Sequence, residues 1–450
     1  MSGLKSKMLL ALAIGAAVSA PSAFATNGYF TEGEGTVNRG MAGAGIAMPQ
    51  DALAAAINPA GIVKLGARMD VGLGIFRPDR HYDISGNSFD VFNVGGPGPG
   101  VAYVSLDGSA DGNGDNNFLI PSFGYNHPLS STDAFNISVY GNGGMNTNYS
   151  NPVFAAFGST GNTGVDLSQL FVNGAYAHSF GAVSVGGSAI FAYQRFKAYG
   201  LQAFDNPGFS TSPGDVTNNG YDSATGGGVR LGVLYDITNE VNVGATYQTK
   251  IKGKFDKYKG LFAEDGEFDI PSTYGVGVHW KPSPVWDVAL DYTKIKYSDS
   301  KSVSNSFLNI ANCPAFGGSD PNSCLGGSNG AGFGWTDINV YKIGVQYMAS
   351  SQWTWRAGWD HGDNPIPSSQ AVINILAPGV VKDHANVGFT RTIDKSSEVN
   401  FMYSHAFKNT VSGPIPGVPG AVGPTAGFGG GTAEISLSEN YAEIGYTKKF

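Results

Sequence analysis

Period-two alternation of apolar and polar residues dominates the chain after residue 66 and limits what it can fold into. About fourteen segments show this pattern, and WDVALDY, residues 286–292, is a clear example. Alternation of this period predicts β-strands whose two faces meet different surroundings. Residues predicted to face lipid are Val288, Leu290, Trp355, Phe401 and Tyr403. Residues predicted to face the interior are Asp287, Asp291 and Arg356.

The connections between these segments alternate between short and long. Short connections are predicted at 127–132, 178–181, 237–240, 281–285, 349–352 and 393–397. Long connections, rich in Gly, Asn, Ser and Pro, are predicted at 84–117, 142–164, 200–220, 255–268, 298–335, 361–383 and 408–432. This arrangement is typical of a transmembrane β-barrel, whose sheet must close because lipid cannot pair backbone groups. A secreted soluble β protein is the alternative, but it has no reason to put every long loop at one end.

Composition argues against a helical membrane protein. Of the 450 residues, 66 are Gly and 14% are charged. The long apolar run at the N-terminus follows Lys5 and Lys7 and closes at Ala25, which predicts a secretory signal peptide over residues 1–25. A first transmembrane helix is the alternative, but the run is short and ends in a cleavage site. The net charge of −8, without a basic block, argues against a nucleic-acid partner.

The chain has two cysteines, Cys313 and Cys324, within one predicted long loop. Two cysteines this close in an exported protein predict one local disulfide. A metal site would need further Cys or His ligands nearby, and the nearest histidines, His279 and His361, are distant in sequence. We therefore expect a Cys313–Cys324 disulfide and no metal site.

The segment before the strands does not alternate. AAAINPAGIVKL, residues 54–65, predicts a short helix from Asp51 to Ile57 that ends at Asn58-Pro59, because proline cannot donate a helical hydrogen bond. A strand with period-two alternation begins at about residue 69. One small helical piece at the start of an otherwise all-β chain needs an explanation.

A resemblance to a known family supplies one. Residues 33–61, GEGTVNRGMAGAGIAMPQDALAAAINPAG, resemble the N-terminal plug of the FadL/TodX family of outer-membrane transporters for long-chain fatty acids and other hydrophobic compounds. Residues 268–299 and 341–367 resemble later barrel strands of the same family. The resemblance implies a fourteen-stranded barrel, residues 67–450, in the outer membrane of a Gram-negative bacterium. It also implies that residues 26–66 form a hatch inside the barrel.

The same resemblance implies passive uptake. A hydrophobic molecule would enter from the outer loops, pass the hatch and leave sideways through a gap in the barrel wall. Asn58, Pro59 and Ala60 match the family's Asn-Pro-Ala. We expect these three residues to stop a helix and also to shape the ligand path.

In the family, the lateral gap comes from an inward kink of the third strand. That strand reads FNISVYGNGGMNTNY here, residues 135–149. Gly141, Gly143 and Gly144 interrupt it, and glycines in a strand mark bulges and bends. We expect the lateral opening at these glycines. The alternative is that they only begin an outer loop.

The ligand's chemistry is less constrained. The carboxylate of a fatty acid would need Arg or Lys inside the barrel, and Arg195 and Lys197 are candidates. They share the parity of Phe191 and Tyr193, however, which the alternation assigns to the lipid side. Unless a bulge turns them inward they contact lipid headgroups, and a neutral alkane or aromatic hydrocarbon then suits the barrel as well as a fatty acid.

Other functions find less support. GAGIAM and GEGTVNRG lack the spacing of a phosphate loop, and the sequence has no G-x-S-x-G motif, so we expect no catalytic residues and no cofactor. A general porin and a surface adhesin are the alternatives to a hydrophobic-compound channel. Porin lumens usually carry rows of charge, whereas this chain is charge-poor. We expect a monomer whose partners are a hydrophobic small molecule and outer-membrane lipid.

Overall fold

The computed structural model describes residues 27–90, 103–314, 318–415 and 429–450. Fourteen long strands form the wall of one antiparallel sheet. They are β1 Arg68–Ser85, β2 Phe118–Pro128, β3 Asp133–Tyr149, β4 Thr163–Ser179, β5 Val183–Tyr199, β6 Asp222–Asp236, β7 Val241–Gln248, β8 Thr273–Ser283, β9 Trp286–Ile295, β10 Ile338–Met348, β11 Trp353–Gly362, β12 Asp383–Asp394, β13 Ser397–Pro414 and β14 Thr432–Lys449. The predicted signal peptide, residues 1–25, lies outside the described residues.

The sheet closes into a barrel because β14 pairs with β1 along its whole length, from Lys449 opposite Arg68 to Thr432 opposite Ser85. The other wall strands pair with their neighbours in sequence. A short strand, Gly108–Asp111, adds to the outer end of β1. Closure satisfies the backbone groups that lipid cannot satisfy, and it confirms the barrel that the alternation predicts.

None of the helices in the described part of the chain has the length and apolarity needed to span a membrane. The helices are short pieces in the hatch and in the outer loops. In the hatch they are the α-helix Thr36–Arg39 and the 3₁₀ helices Ala54–Ala56 and Pro59–Lys64. In the loops they are Ala155–Phe157, Gln202–Phe204, Asp256–Tyr258, Ala263–Gly266, Tyr297–Asp299, Lys301–Ser304, Phe307–Asn312, Pro321–Ser323, Ser368–Gln370 and Ile373–Ile375.

The connections alternate in length as predicted. The short ones lie at one end of the barrel and occupy 129–132, 180–182, 237–240, 284–285, 349–352 and 395–396. Two of the long ones begin well after the predicted start, because β3 continues to Tyr149 and β13 to Pro414. The predicted loop starts at 142 and 408 are therefore wrong, since glycine and asparagine in these stretches do not end the strands.

The two faces of the strands differ in exposure as the alternation predicts. Leu290 and Trp355 are each 49% exposed on the outer face, where Val288, Phe401 and Tyr403 also lie. Asp291 is 6% exposed on the inner face. Asp287 and Arg356, the other two residues predicted to face the interior, also lie on the inner face. An apolar outer band of this kind faces lipid.

Replacing Leu290 by Lys should impair insertion into bilayers. Leu290 lies in the middle of β9, and a lysine at the bilayer midplane on a barrel's lipid face costs about 2–4 kcal/mol. Val285→Lys is the matched control, because Val285 lies in the turn before β9, where the cost is about 0–1 kcal/mol. Urea titration of the free energy of unfolding in liposomes measures both. Equal losses would place Leu290 away from the bilayer centre.

Residues 27–66 lie inside the barrel and form the hatch. The predicted helix from Asp51 to Ile57 is wrong in extent, since only Ala54–Ala56 is helical and that piece is a 3₁₀ helix. The chain also does not pass straight into β1, because a second 3₁₀ helix, Pro59–Lys64, comes first.

Asn58 begins this second helix as well as ending the first. Its side-chain oxygen accepts a hydrogen bond from the Ala60 backbone N–H at 3.1 Å, which caps the helix N-terminus. Pro59 occupies the first helical position, where its missing N–H costs nothing. The Asn-Pro-Ala sequence therefore encodes a helix start that was missed because proline is also a helix stop.

Candidate ligand path and lateral opening

The third strand leaves the wall of the barrel part-way along its length. Residues Ala134 to Val139 of β3 pair with β2, and beyond Val139 the described residues show no β3–β2 pairing. On its other side β3 pairs with β4 throughout, but the register shifts between Gly141 and Gly143. Asn142 is thus the extra residue of a β-bulge, the device by which a strand bends.

Burial shows the direction of the bend. Phe135, near the start of β3, is 38% exposed on the outer face, whereas Val139, which has the same parity, is 2% exposed. Every residue from 138 to 147 is buried, so the alternation of exposed and buried positions is lost. A strand that is buried on both faces lies further inside the barrel than the adjacent wall strands.

The hatch takes the place of the missing neighbour. Gly144 donates its backbone N–H to the Tyr29 carbonyl at 3.0 Å, and Thr31 donates its own to the Asn142 carbonyl at 3.2 Å. A Cβ on Gly143 would lie 2.0 Å from the Tyr29 carbonyl oxygen. Gly143 is therefore needed for the close approach of the hatch, whereas the bulge itself centres on Asn142.

The bend leaves a gap in the hydrogen bonding between β2 and β3, which we call the lateral opening. Residues Phe118 to Ser122 of β2 pair with β1, and among the described residues they have no strand partner on the side that faces β3. The opening ends at the outer side where Asn148 of β3 exchanges hydrogen bonds with Gly112 and Gly114, each 3.0 Å long. Its inner border is apolar, because Phe118 and Ile120 are buried inside the barrel.

The first described hatch residues fill the interior behind this opening. The ring centroid of Tyr29 lies 5.2 Å from that of Tyr297, 5.7 Å from Trp335 and 6.0 Å from Phe268. Tyr297 donates its hydroxyl to the Asn27 carbonyl at 2.5 Å. This aromatic packing fills the barrel interior beside the bend.

The rest of the hatch is fixed to the wall. A Cβ at Gly186 would lie 2.5 Å from the Pro59 carbonyl carbon, and one at Gly232 would lie 1.9 Å from Asn58 Oδ1. Asn58 also donates its amide to the Val233 carbonyl at 3.0 Å. The predicted gate residues Asn58, Pro59 and Ala60 therefore lie where the hatch meets β5 and β6, away from the bend in β3.

Ion pairs add to this attachment. Arg39 of the hatch lies 2.6 Å from Glu443 on β14 and 3.2 Å from Glu34. Asp291 on β9 accepts the backbone N–H groups of Gly45 and Ile46 at 2.7 and 2.9 Å. Buried charges that are paired in this way hold the hatch in one position, and breaking one pair would leave the other charge unsatisfied.

An apolar cavity lies among the outer loops. Its volume is about 40 Å³, so a ligand fits only if the lining side chains move apart. Its lining is Leu106, Phe154, Phe157, Leu201, Phe204, Val216, Leu261, Phe307, Ile310, Leu325, Val372, Ile373 and Leu376. The alternation pattern does not predict this cavity, although large apolar residues inside Gly- and Asn-rich loops were a usable signal.

A second, polar cavity lies between the hatch and β6 to β10, and Arg230 and Lys342 line it together with Asn142. Arg230 donates to the Ile57 carbonyl at 3.2 Å and to Gln248 at 2.5 Å, while its Nε has no partner among the described residues. The parity of Arg230, between exposed Val229 and Leu231, was the sequence signal for an inward cation.

Arg195 and Lys197 do not lie in either cavity. The β5 register has no bulge, so both point outward with Phe191. Arg195 Cζ lies 4.0 Å from the ring centroid of Tyr221, and Lys197 Nζ lies 4.8 Å from it. Their suggested role as ligands of an internal carboxylate is therefore corrected, because parity keeps both outside the lumen.

Cys313 and Cys324 form a disulfide with a Cα–Cα distance of 4.9 Å. It lies beside Ile310 and Leu325, which line the loop cavity. Among the described residues, no group of three or more His, Cys, Asp or Glu side chains is placed to hold a metal ion.

The untreated protein should show no free thiol, and reduction should leave the barrel folded. Closing a loop of this length restrains the unfolded chain by roughly 2–3 kcal/mol, but the sheet closes elsewhere. Labelling with a membrane-impermeant maleimide, with and without reductant, measures the thiols, and heat modifiability reports the barrel. Full labelling before reduction would contradict the prediction.

A closed barrel filled by a hatch, bent inward at one strand, defines a plugged outer-membrane channel. The chain belongs to the outer membrane protein transport family (OMPP1/FadL/TodX), whose model matches residues 12–414. Members of this family lie in the outer membrane of Gram-negative bacteria, and so does this barrel.

Named relatives support the assignment. The long-chain fatty acid transport protein of Escherichia coli strain K12 is 22% identical over 453 residues, which cover 89% of this chain and 92% of that protein. The toluene transporter TodX of P. putida is 17% identical with a TM-score of 0.63, covering 93% and 99% of the two chains. A FadL homologue of Pseudomonas aeruginosa is 17% identical with a TM-score of 0.67, covering 94% and 100%. The two structures share the fold of this chain.

Proposed function

We propose that the protein is a passive channel for hydrophobic small molecules. The molecule is captured in the apolar loop cavity and passes into the barrel when residues 27–31 of the hatch move. It leaves through the opening between β2 and β3 into the membrane. The route involves no catalytic step and no cofactor. One barrel contains every part of it, so the channel works as a monomer, with outer-membrane lipid as the medium at its exit.

The bend at Asn142 is the observation that carries this proposal. Backbone groups left unpaired within a membrane are tolerated only where they face protein or a cavity, and the hatch supplies that cover. A ligand that exits sideways also avoids water. It is spared about 25 cal/mol for each Å² of apolar surface that passage through the periplasm would expose again.

The ligand class covers long-chain fatty acids and hydrocarbons, as the names of the relatives suggest. The loop cavity offers apolar contact to either. Arg230 and Lys342, in the inner polar cavity, are candidates for the carboxylate of a fatty acid.

Replacing Phe204 by Asp should reduce uptake at least about fivefold, because a charge in the apolar cavity opposes capture. The ring centroid of Phe204 lies 5.3 Å from Phe154 and 5.5 Å from Phe209, at the centre of the cavity lining. Phe180→Asp is the matched control, since Phe180 is exposed in a short turn at the opposite end. Uptake of labelled oleate and of labelled toluene is measured in cells that lack their own channel of this family.

Three outcomes would contradict the proposal. Uptake of both compounds equal to that of cells without the protein would remove the transport function. A large steady single-channel conductance in planar bilayers would instead indicate a general porin, since a seated hatch obstructs ions. Cell binding without uptake would favour the adhesin.

A further inference from the structure

A small cavity lies above the hatch, between Thr31 and Glu32 of the hatch and the inner faces of β12 to β14. Its volume is about 10 Å³, room for one group of the size of a water molecule or a hydroxyl. Glu439 of β14 and His384 of β12 line it, and they are 2% and 1% exposed. The cavity is distinct from the apolar loop cavity and shares only hatch residues with the polar cavity beside Arg230.

Glu439 and His384 hold unused hydrogen-bonding capacity. Neither carboxyl oxygen of Glu439 and neither ring nitrogen of His384 has a hydrogen-bond partner among the described residues. The Oδ1 atom of Asp360 lies 3.8 Å from His384 Nδ1, beyond hydrogen-bond distance. A buried polar group without a partner is costly, and a ligand group that reaches it restores the bond.

The other charged groups around the cavity are already engaged. Arg39 donates to Glu443 at 2.6 Å, and Glu32 accepts from Ser404 at 3.1 Å. Arg80, which does not line the cavity, donates to the Asn146 and Asp115 carbonyls at 2.5 and 2.6 Å. Glu439 therefore has capacity for a hydrogen-bonding group that comes from outside the chain.

Apolar side chains connect this cavity to the lateral opening. Phe76 lines the cavity, and its ring centroid lies 6.4 Å from that of Phe118, at the free edge of β2. Ile120, the next inward residue on that edge, belongs to the same apolar cluster. Both rings are buried, at 1% and 2% exposed, so an elongated molecule with its polar end at Glu439 would have to displace them to lay its apolar body along Phe76 and Phe118.

We propose that this cavity is a subsite for the hydroxyl group of a hydrophobic alcohol or phenol. The hydroxyl hydrogen bonds to the Glu439 carboxyl group, and His384 completes its hydrogen bonding. An alkane leaves both side chains without a hydrogen bond from the described residues, and a carboxylate adds negative charge beside Glu439 and Glu32. This inference rests on the proposed transport function and narrows its substrate class.

The test is equilibrium binding of 1-decanol, decane and decanoate to the full-length protein in nanodiscs, corrected for partition into protein-free nanodiscs. The wild type should prefer 1-decanol to decane by about tenfold or more, the factor expected for one hydrogen bond to a buried charged group. Glu439→Leu should remove this preference without weakening the binding of decane. Glu439→Gln keeps an acceptor and should retain part of the preference. Glu434→Leu, at an exposed position of the same strand, is the matched control.

Heat modifiability verifies that each variant is folded. His384→Phe is a second variant that leaves the Glu439 carboxyl group in place, and it should lower the preference for 1-decanol over decane. An unchanged ratio of 1-decanol to decane affinity in folded Glu439→Leu would overturn the subsite, while binding of all three ligands would leave the channel function standing. Failure of the wild type to bind any of them would overturn both.

Discussion

Deletion of Asn142 should reduce uptake of hydrophobic compounds at least tenfold, to about the background level, in a barrel that still inserts. Asn142 has no pairing partner on β4. Without it, Gly141 and Gly143 become neighbours that pair with Leu170 and Gln169. The strand then continues in line and can pair with the free edge of β2, which closes the opening. Regained backbone hydrogen bonds, each worth about 0.5–1.5 kcal/mol, should keep the barrel at least as stable.

Asn142→Ala is the control for this deletion, because it keeps the backbone bulge and loses only the side-chain bond to Gln169 at 3.0 Å. It should transport at a rate close to that of the wild type. Glycine-to-valine changes are less suitable, since a side chain on Gly143 would collide with Tyr29 whether or not the strand straightened. Persistent uptake in a verified straightened barrel would show that the ligand leaves down the lumen.

A disulfide between Thr31→Cys and Asn142→Cys should abolish uptake reversibly. The Thr31 N–H donates to the Asn142 carbonyl, so the two positions face each other across the contact between hatch and bend. A cross-link there holds the first part of the hatch in the blocking position. Uptake should fall to background after oxidation and recover after reduction.

The single-cysteine variants control for reduction of the Cys313–Cys324 bond, because they contain that bond and no cross-link. Mass spectrometry of the oxidised protein establishes that the cross-link has formed. Full uptake by a completely cross-linked protein would mean that residues 27–31 need not move. The blocking segment would then have to be sought among the aromatic residues of the outer loops.

The arrangement of the wall was predictable from the sequence. Apolar and polar residues alternate along each wall strand because one face meets lipid and the other meets the interior. Leu290 and Asp291 therefore point to opposite sides of β9 as predicted. The lengths of the connections are equally local, and they place all long loops at one end.

The site was only partly predictable. The glycines of β3 flank the bulge, but its position at Asn142 depends on how β4 pairs with β3, which no local pattern specifies. The role of Gly143 depends on Tyr29, which is distant in sequence. The loop cavity is formed by apolar residues from separate loops, and each loop alone shows only scattered hydrophobic residues.

For the charged side chains, the sequence predicts direction but not pairing. Parity already placed Arg195 and Lys197 outside, and parity alone would have placed Arg230 inside. Whether an inward group is free to bind a ligand depends on what lies opposite it. Glu439 and Glu443 both point inward from β14, but Glu443 meets Arg39 of the hatch, whereas Glu439 meets a cavity. The sequence by itself determined which way the side chains of the regular wall strands point, because that follows from the backbone period. Only the tertiary structure decided which inward groups are paired, because their partners come from distant parts of the chain.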